Sequence, residues 1–326
     1  MHANVVANTS QGAPAPGGRS EWTAEAARHL RAVVLLAGSV RPSELGRGVQ
    51  RSLLDLPIAA GTSVLSVWQA NAADLARAIG VESLPVRVIL NQSAIEPELP
   101  PPVDNVKLGL ERDAAEFRGT GGILKDLVRG YGPDDMILVG NGAQVLVEPL
   151  PQLAEVLLRS GACVAIVAHD DGTPSGLFLV KCSVLESAGD IGFLDFKEQL
   201  LPRLAAAGHD IRVVAREHAT GHPVRTLDGY LAGLRSFHRA RQGLPLSESA
   251  FEEDWMPTFS IIETAAEVVP GATVHDSVVL AGARVGRGAA VVRCVICPDA
   301  VVPAGQLVAD RVITTGRERT GARGRR

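Results

Sequence analysis

The sequence lacks long apolar runs. Among its 326 residues, the longest such runs have only the length of a strand, as in Ala32–Ala37. A helix needs about 20 apolar residues to cross a bilayer, so we expect no membrane partner. Residues 1–20 are polar, rich in Gly, Ala and Pro, and without the apolar core of a signal peptide. They predict a disordered leader on a cytoplasmic protein.

The sequence also has little cysteine and little net charge. Its four cysteines, Cys163, Cys182, Cys294 and Cys297, suit a reducing cytoplasm. A formal net charge of -4 argues against nucleic acid as a partner. Residues 317–326 differ, since they hold five Arg and one Glu. Such a tail has the charge to touch phosphate or membrane, but a solvated, disordered end is the simpler interpretation.

Short apolar runs alternate with helical patterns through the first three quarters of the chain. The runs are continuous, as in buried parallel strands, and lie at 32–37, 86–90, 136–139, 163–168, 177–180 and 211–214. The helical patterns lie at 64–79, 122–129, 150–160, 196–207 and 227–241. This alternation predicts an α/β fold with a Rossmann-like, mostly parallel sheet covered on both faces. Ligands of such sheets bind outside the carboxyl ends of the strands.

The pattern changes after about residue 244. From residue 268, small residues recur every five or six positions, at Ala272, Ser277, Ala283, Ala289, Cys294 and Ala300. Aliphatic residues lie between them, at Val269, Val274, Leu280, Val285, Val291 and Ile296. A six-residue period predicts a short left-handed hexapeptide β-helix of about two and a half coils. An ordinary antiparallel β-appendage is the alternative.

These patterns predict five segments along the chain. Residues 1–28 are expected to form the disordered leader, 29–241 the α/β domain and 242–262 a linker. Residues 263–313 are expected to form the β-helix, and 314–326 a basic disordered tail. The lone C-x-x-C sequence that begins at Cys294 favours a structural role, because Cys294 takes a small inward position and a zinc site usually needs a second pair of ligands.

Four short motifs stand at the ends of predicted strands or before predicted helices. Gly38 follows the first strand in the sequence AGSVR, which ends at Arg41, and Arg51 begins the sequence RSLLDLPI. The other two motifs are RGTGG, with Gly119, Thr120, Gly121 and Gly122, and NGA, with Asn141, Gly142 and Ala143. Glycines at such places let the backbone approach a ligand closely.

With these motifs in this order, residues 30–313 resemble the sugar-1-phosphate nucleotidyltransferases. These NDP-sugar pyrophosphorylases include mannose-1-phosphate guanylyltransferase and the glucose-1-phosphate adenylyl- and thymidylyltransferases. They join a nucleoside triphosphate to a sugar 1-phosphate and release pyrophosphate. The resemblance implies the nucleotide-diphospho-sugar transferase fold. It also implies nucleotide-binding roles for Gly38, Gly119, Thr120, Gly121, Gly122, Asn141 and Gly142.

In the same resemblance, Arg41 and Arg51 are the catalytic cations on the phosphates. Arg41 replaces the Arg of a longer Gly-rich loop, and Arg51 replaces a Lys, which is not equivalent at a phosphate. Ala143 stands where the family has the Asp that binds Mg²⁺, and a methyl group cannot ligate a hard cation. Pro223 or its neighbour stands where the family has its second metal Asp. The E-K-P motif, which helps to hold the sugar phosphate, has no match.

These departures predict lost or much reduced catalysis. No cofactor is expected, except Mg²⁺ if the protein is active. The first hypothesis is a non-catalytic nucleotide-binding or regulatory protein, whose ligand is a nucleotide or sugar nucleotide. Its protein partner would be a second copy, in a homo-oligomer, or an active paralogue. The second is a working enzyme whose metal site is rebuilt from Glu148, Asp170, Asp171 or Asp228. The third is a β-helix acyltransferase that uses His275.

Overall fold

The structure is a computed structural model that describes residues 27–38, 43–113, 118–169, 172–187, 193–241 and 259–315. Arg41, Asp170, Asp171, the predicted leader up to residue 26 and the tail from residue 316 lie outside the described residues. Contacts divide the chain into two compact units. The first unit contains Met1–Val40 and Val64–His222, and the second contains Arg41–Ser63 and Pro223–Arg326.

Secondary-structure elements are numbered here in chain order. The strands are β1 Leu30–Leu36, β2 Pro57–Ala59, β3 Thr62–Ser63, β4 Leu84–Leu90, β5 Val106–Arg112, β6 Met136–Asn141, β7 Gln144–Leu146, β8 Val164–His169, β9 Pro174–Lys181, β10 Ile211–Arg216, β11 Gly221–Pro223, β12 Ser260–Ile262, β13 Glu267–Val268, β14 Thr273–His275, β15 Ser277–Val279, β16 Arg284–Val285, β17 Ala290–Val292, β18 Val295–Ile296, β19 Val301–Val302, β20 Leu307–Ala309 and β21 Val312–Ile313. The α-helices are α1 Glu44–Gly48, α2 Val64–Ile79, α3 Gly119–Leu127, α4 Leu150–Arg159, α5 Cys182–Glu186, α6 Leu201–Ala206 and α7 Leu227–Arg241. A 3-10 turn spans Leu53–Asp55, and a π-helical turn spans Phe196–Leu200.

The first unit is built on a seven-stranded sheet in the order β10-β8-β9-β6-β1-β4-β5. Strand β9 runs antiparallel to both of its neighbours, and the other pairings are parallel. The predicted Rossmann-like, mostly parallel α/β sheet is therefore confirmed. The carboxyl ends of β1, β4, β5, β6, β8 and β10 all lie at the same edge of the sheet, which is where such folds bind ligands.

The sheet is buried on both faces at its centre. In β1, the consecutive residues Val33, Val34 and Leu35 are fully buried, so side chains on both faces are removed from water. One face packs into a core that includes Leu124 of α3, and Phe178 stacks there on Phe196 with ring centroids 4.3 Å apart. Burying each such side chain contributes about 1.5–3 kcal/mol. This core fixes the position of the strand ends.

The β-helix of the second unit is confirmed, and its coil is 17 residues long. Val278 pairs with Val295, and Val295 with Val312, in parallel register. Three such ladders form the faces of the β-helix: β12-β15-β18-β21, β13-β16-β19 and β14-β17-β20. Asp276, Arg293 and Asp310 turn the same corner of successive coils with positive φ angles of 46°, 50° and 55°. One segment of each coil is therefore a residue shorter than a hexapeptide.

The short segment changes which aliphatic residues point inward. The buried core of the β-helix contains the predicted Val285, Val291 and Ile296, together with the predicted small residues from Ala283 onward. On the first ladder, however, Val279 joins this core, and Leu280 is fully buried outside it. The prediction of Leu280 as an inward position is wrong, because a strict six-residue count does not hold through a 17-residue coil.

Residues 43–63 and 223–241 belong to the same unit as the β-helix. Helix α1 contacts β21, and its Gly48 lies against Cys297 and Val312. The hydroxyl of Tyr230 in α7 donates to the carbonyl oxygen of Pro57 at 2.5 Å. The predicted boundaries at 241 and 263 remain a prediction. No helix in the described part of the chain has the length and apolar character needed to cross a bilayer.

Candidate functional site at the carboxyl edge of the sheet

The structure brings Gly38 close to the end of β4, and links β1 to the Asn141-Gly142 turn. The backbone N–H of Ala37 donates to Ile89 at 2.9 Å, and that of Gly142 donates to Leu36 at 3.0 Å. A Cβ atom on Gly38 would lie 3.2 Å from the backbone nitrogen of Asn91. Glycine therefore permits a close approach between neighbouring chain segments here.

A hydrogen bond from Trp68 of helix α2 holds the turn after β6 in place. The indole Nε1–H donates to the carbonyl oxygen of Gly142 at 3.0 Å. Gly140 makes room for the ring, because a Cβ there would lie 2.8 Å from the Trp68 side chain. Sequence reasoning missed Trp68, which is one apolar position of a helical pattern and carries no motif of its own. Its role depends on a contact between residues far apart in the sequence.

Ala143 occupies the position expected for a metal-binding carboxylate. The residue is only 2% exposed, and its N–H donates to Asn141 Oδ1 at 3.2 Å. The side-chain oxygen of Asn141 is thus already used within the turn. The turn therefore offers a methyl group and an amide oxygen that is already hydrogen-bonded. Mg²⁺ prefers anionic oxygen ligands, and neither group supplies one.

Two of the acidic residues proposed as replacements, Glu148 and Asp228, lie in the described part of the chain. Glu148 forms an ion pair with Arg216, with Oε2 3.1 Å from Nε. Asp228 is exposed at the start of α7 in the second unit. Within the described ranges, no three His, Cys, Asp or Glu side chains come together as a metal site would require.

The RGTGG motif forms the first turn of α3, and residues 193–196 lie directly on it. The N–H of Gly121 donates to the carbonyl oxygen of Leu194 at 2.8 Å, and the N–H of Leu194 donates to Arg118 at 2.8 Å. Gly119 has a φ of +72°, and a Cβ atom there would collide with the backbone of Leu194. These glycines therefore accommodate a segment of the chain itself.

The hydroxyl of Thr120 is used in the same contact. It accepts from the N–H of Phe196 at 2.9 Å and donates to Asp195 Oδ2 at 3.3 Å. Asp195 in turn caps the π-helical turn by accepting from the N–H groups of Lys197 and Glu198 at 2.8 and 2.9 Å. The nucleotide-binding role of Gly119, Thr120, Gly121 and Gly122 remains a prediction, and Leu194 occupies the space over Gly121.

Arg51 lies in the second unit, where its guanidinium is bound to Glu263. Nη1 and Nη2 donate to Oε1 and Oε2 at 2.9 and 2.6 Å. Burial alone would lower the pKa of Arg51, but the hydrogen bonds and charge of Glu263 raise it above the ordinary value. A phosphate would have to displace this carboxylate. The catalytic role predicted for Arg51 is untested, and that of Arg41 falls outside the described residues.

A cleft of about 210 Å³ opens beside the RGTGG turn and is lined by balanced charges. Arg87, Arg112 and Arg118 face it together with Glu111, Asp113 and Asp126. Arg118 pairs with Asp113 and Asp126, and Arg87 with Glu111 at 2.6 Å. The bond to Glu111 raises the pKa of Arg87, and the bond to Asp113 raises that of Arg118. An anionic ligand would have to compete with these internal partners.

Comparisons with known proteins match this chain to one family model and to a solved structure. Residues 256–312 match the family model described as GlmU-like, C-terminal hexapeptide. Among solved structures, the crystal structure of HddC from Yersinia pseudotuberculosis matches with 16% identity and a TM-score of 0.48, covering 64% of this chain and 100% of that chain. A search of curated proteins gives no match. The hexapeptide match covers the described β-helix, whose 17-residue coils already indicate a repeat of this kind.

Proposed function

We propose that this chain is a sugar-phosphate nucleotidyltransferase-like protein with lost or much reduced turnover and a regulatory role. The proposal is supported by the order of the four motifs, by the α/β sheet and by the GlmU-like hexapeptide region. The observation that carries it is Ala143, which is buried at the end of β6 with its N–H bonded to Asn141.

Ala143 matters because nucleotidyl transfer depends on neutralising charge at the phosphates. A metal ion and fixed cations do most of this work, and the protein contributes the oxygen ligands that hold the metal. Removing one oriented electrostatic group commonly lowers the rate about 10²–10³-fold. Here the carboxylate is replaced by a methyl group, and the nearby Glu148 is neutralised by Arg216. Little turnover is therefore expected.

In this proposal, a nucleotide or sugar nucleotide binds weakly and without Mg²⁺ as a regulatory ligand. Gly38 and Gly142 have no side chain, so a ligand could approach the backbone closely at the sheet edge, and this approach needs no metal. The base would extend towards the RGTGG turn, where the buried side chain of Leu194 now fills the space over Gly121. Ligand affinity is thus limited by displacement of Leu194.

Two measurements test the proposal. Pyrophosphate release is measured with the common nucleoside triphosphates, sugar 1-phosphates and Mg²⁺, and none is expected. A turnover near ~1 s⁻¹, which lies in the normal enzyme range, would overturn the loss of catalysis. Calorimetric titration with nucleotides and sugar nucleotides, with and without Mg²⁺, then tests the ligand.

The Leu194→Ala variant tests whether this side chain limits binding. It should bind the nucleotide more tightly than wild type, because the space over Gly121 is opened. Leu200→Ala is the matched control, since Leu200 is buried in the same core cluster. If neither wild type nor Leu194→Ala gives heat at millimolar nucleotide, the ligand part of the proposal is wrong.

A further inference from the structure

Strand β5 is an edge of the seven-stranded sheet. It pairs with β4 on one side, and no strand in the described part of the chain pairs with its other side. Leu84 donates to the carbonyl of Asn105, and Asp113 donates to that of Leu90, so the odd-numbered backbone groups face β4. The N–H and C=O groups of the alternate residues therefore point outward, at Val106, Leu108, Leu110 and Arg112.

We propose that a second copy of this chain binds this edge, strand against strand, about a two-fold axis at Gly109. In this antiparallel arrangement, Leu108 and the partner's Leu110 exchange two backbone hydrogen bonds, and symmetry repeats the exchange. Lys107 then lies opposite the partner's Glu111, again twice. Opposite charges directly across two strands are stabilising, and Glu111, which already binds Arg87 of its own chain, would share its carboxylate with Lys107, so the strand is complementary to itself. This inference does not rest on the proposed function.

Gly109 is suited to a position on the axis. The register makes it a non-hydrogen-bonded pair with its own copy, and such pairs bring the two Cα atoms to about 4.5 Å. Glycine inside a strand often marks a place where another backbone approaches closely. Apart from its two neighbours in the strand, no described residue has an atom within 4 Å of the position that a Cβ of Gly109 would take. The face of the sheet over Gly109 therefore has room for side chains of a partner strand.

Apolar side chains flank the same strand. Leu99, Pro100–Pro102, Val106, Leu108 and Gln69 line a groove of about 460 Å³. Leu99 is 55% exposed, and Ile95 is equally exposed in the same segment. An exposed apolar patch beside an unpaired strand edge marks an interaction surface. A second copy would cover both the backbone groups and this patch.

The other edge strand, β10, lacks this complementarity. It carries Arg212 and Arg216 and no acidic residue, so pairing with its own copy would place no acidic side chain of the partner strand opposite the arginines. Its Val213 is nevertheless 51% exposed. Exposure is thus similar at the two edges, while charge complementarity distinguishes β5. Strand β10 provides a matched control for any change made in β5.

The test is the oligomeric state of the full chain by sedimentation velocity. At about 100 µM, a hundredfold above a micromolar dissociation constant, the wild type should be a dimer. Gly109→Asp should be monomeric, because it places two carboxylates face to face at the axis. Val213→Asp, the control on β10, should remain a dimer. Circular dichroism checks that each variant is folded.

Milder changes keep the test decisive if Gly109→Asp does not fold. Lys107→Glu should weaken the dimer about tenfold, because like charges then face each other across both symmetric pairs, while Lys107→Arg should leave it intact. Gly109→Cys should give a disulfide-linked dimer on mild oxidation, since the two Cα atoms would lie within disulfide range.

A monomeric wild type would overturn the proposal. So would a dimer that Val213→Asp disrupts and the β5 variants leave unchanged.

Discussion

Arg51 and Glu263, which are 212 residues apart in the sequence, form a two-point ion pair inside the second unit. The two terminal guanidinium nitrogens donate to the two carboxylate oxygens, at 2.9 and 2.6 Å. Glu263 Oε2 also accepts from the N–H of Ala281 at 2.6 Å. The pair therefore joins the segment before the 3-10 turn to the first coil of the β-helix. Its geometry is that of a structural contact.

Replacing Arg51 should therefore destabilise the protein. Arg51→Met leaves the half-buried carboxylate of Glu263 without its cation, and we expect a loss of about 2 kcal/mol in the free energy of unfolding. Arg51→Lys keeps the charge but not the fork of donors, so a smaller loss is expected. Urea unfolding of the full chain measures both. If Arg51→Met instead weakens nucleotide binding with unchanged stability, Arg51 serves as the predicted phosphate ligand.

The RGTGG glycines give a second test. Gly119→Ala should destabilise the protein by more than about 2 kcal/mol, because φ is positive and the new Cβ would strike the backbone of Leu194. Gly122→Ala is the matched control. Its Cβ would meet only the Cβ of Arg118 at 3.3 Å, and alanine favours the helix by up to about 1 kcal/mol. Thermal unfolding distinguishes the two, and equal effects would show that Leu194 does not pack on Gly119.

Gly121→Val shows how the structure changes a sequence-based expectation. From the motif alone, this variant is expected to block a base site with little effect on folding, provided that the backbone angles of Gly121 allow a side chain. In the structure, however, even a Cβ on Gly121 lies 2.9 Å from the side chain of Leu194. The variant should therefore lower stability as well. A loss of nucleotide binding in Gly121→Val is for this reason no proof of a base site.

The sequence predicts local features better than contacts between distant segments. The continuous apolar run of β1 and the small residues of the β-helix are determined by burial, which leaves a periodic pattern. The pairing of Arg51 with Glu263 and the position of Leu194 over Gly121 leave no such pattern, since each depends on tertiary packing. The motifs give the right strand ends. They do not reveal that part of the expected site is filled.

The cysteines should differ in reactivity in the folded protein. Burial raises the pKa of Cys182 to about 12 and that of Cys297 to about 11, and it also raises the pKa of Cys294. The reactive thiolate is therefore scarce at pH 8. Cys163 is partly exposed, so maleimide should modify it first. Mass spectrometry of the native and the denatured protein measures the order.

The same experiment tests a zinc site at the C-x-x-C sequence. Cys294 belongs to the core of the β-helix and its Sγ donates to the carbonyl of Val292 at 3.2 Å, whereas Cys297 lies outside this core beside Gly48. The two sulfurs are thus on different sides of one strand. A chelator should leave their labelling unchanged. Fast labelling of Cys294 and Cys297 only after chelation would contradict this arrangement.

His238 should make stability depend on pH. Burial lowers the pKa of its imidazole below the ordinary value, and the charge of Arg241 lowers it further. The Nε2 atom of the ring lies 3.1 Å from the carbonyl oxygen of Ile58. The ring also stacks on that of Phe259, with ring centroids 5.8 Å apart. The unfolded chain therefore takes up a proton more readily than the folded protein does. This contribution to stability is fully present above about pH 6.5, the unfolded pKa, and is lost as the pH falls through the folded pKa.

The His238→Gln variant isolates this effect. Glutamine can still donate a hydrogen bond to Ile58 but does not titrate, so its free energy of unfolding should change less than that of wild type between pH 7 and pH 5. Urea unfolding at several pH values gives both curves, and their difference removes the contribution of other groups. The sign is fixed by the direction of the pKa shift: the wild type must lose stability relative to the variant as the pH falls. Parallel curves would mean that His238 takes up a proton as readily in the folded protein as in the unfolded chain. A gain in the stability of wild type relative to the variant would mean that a carboxylate stabilises the imidazolium.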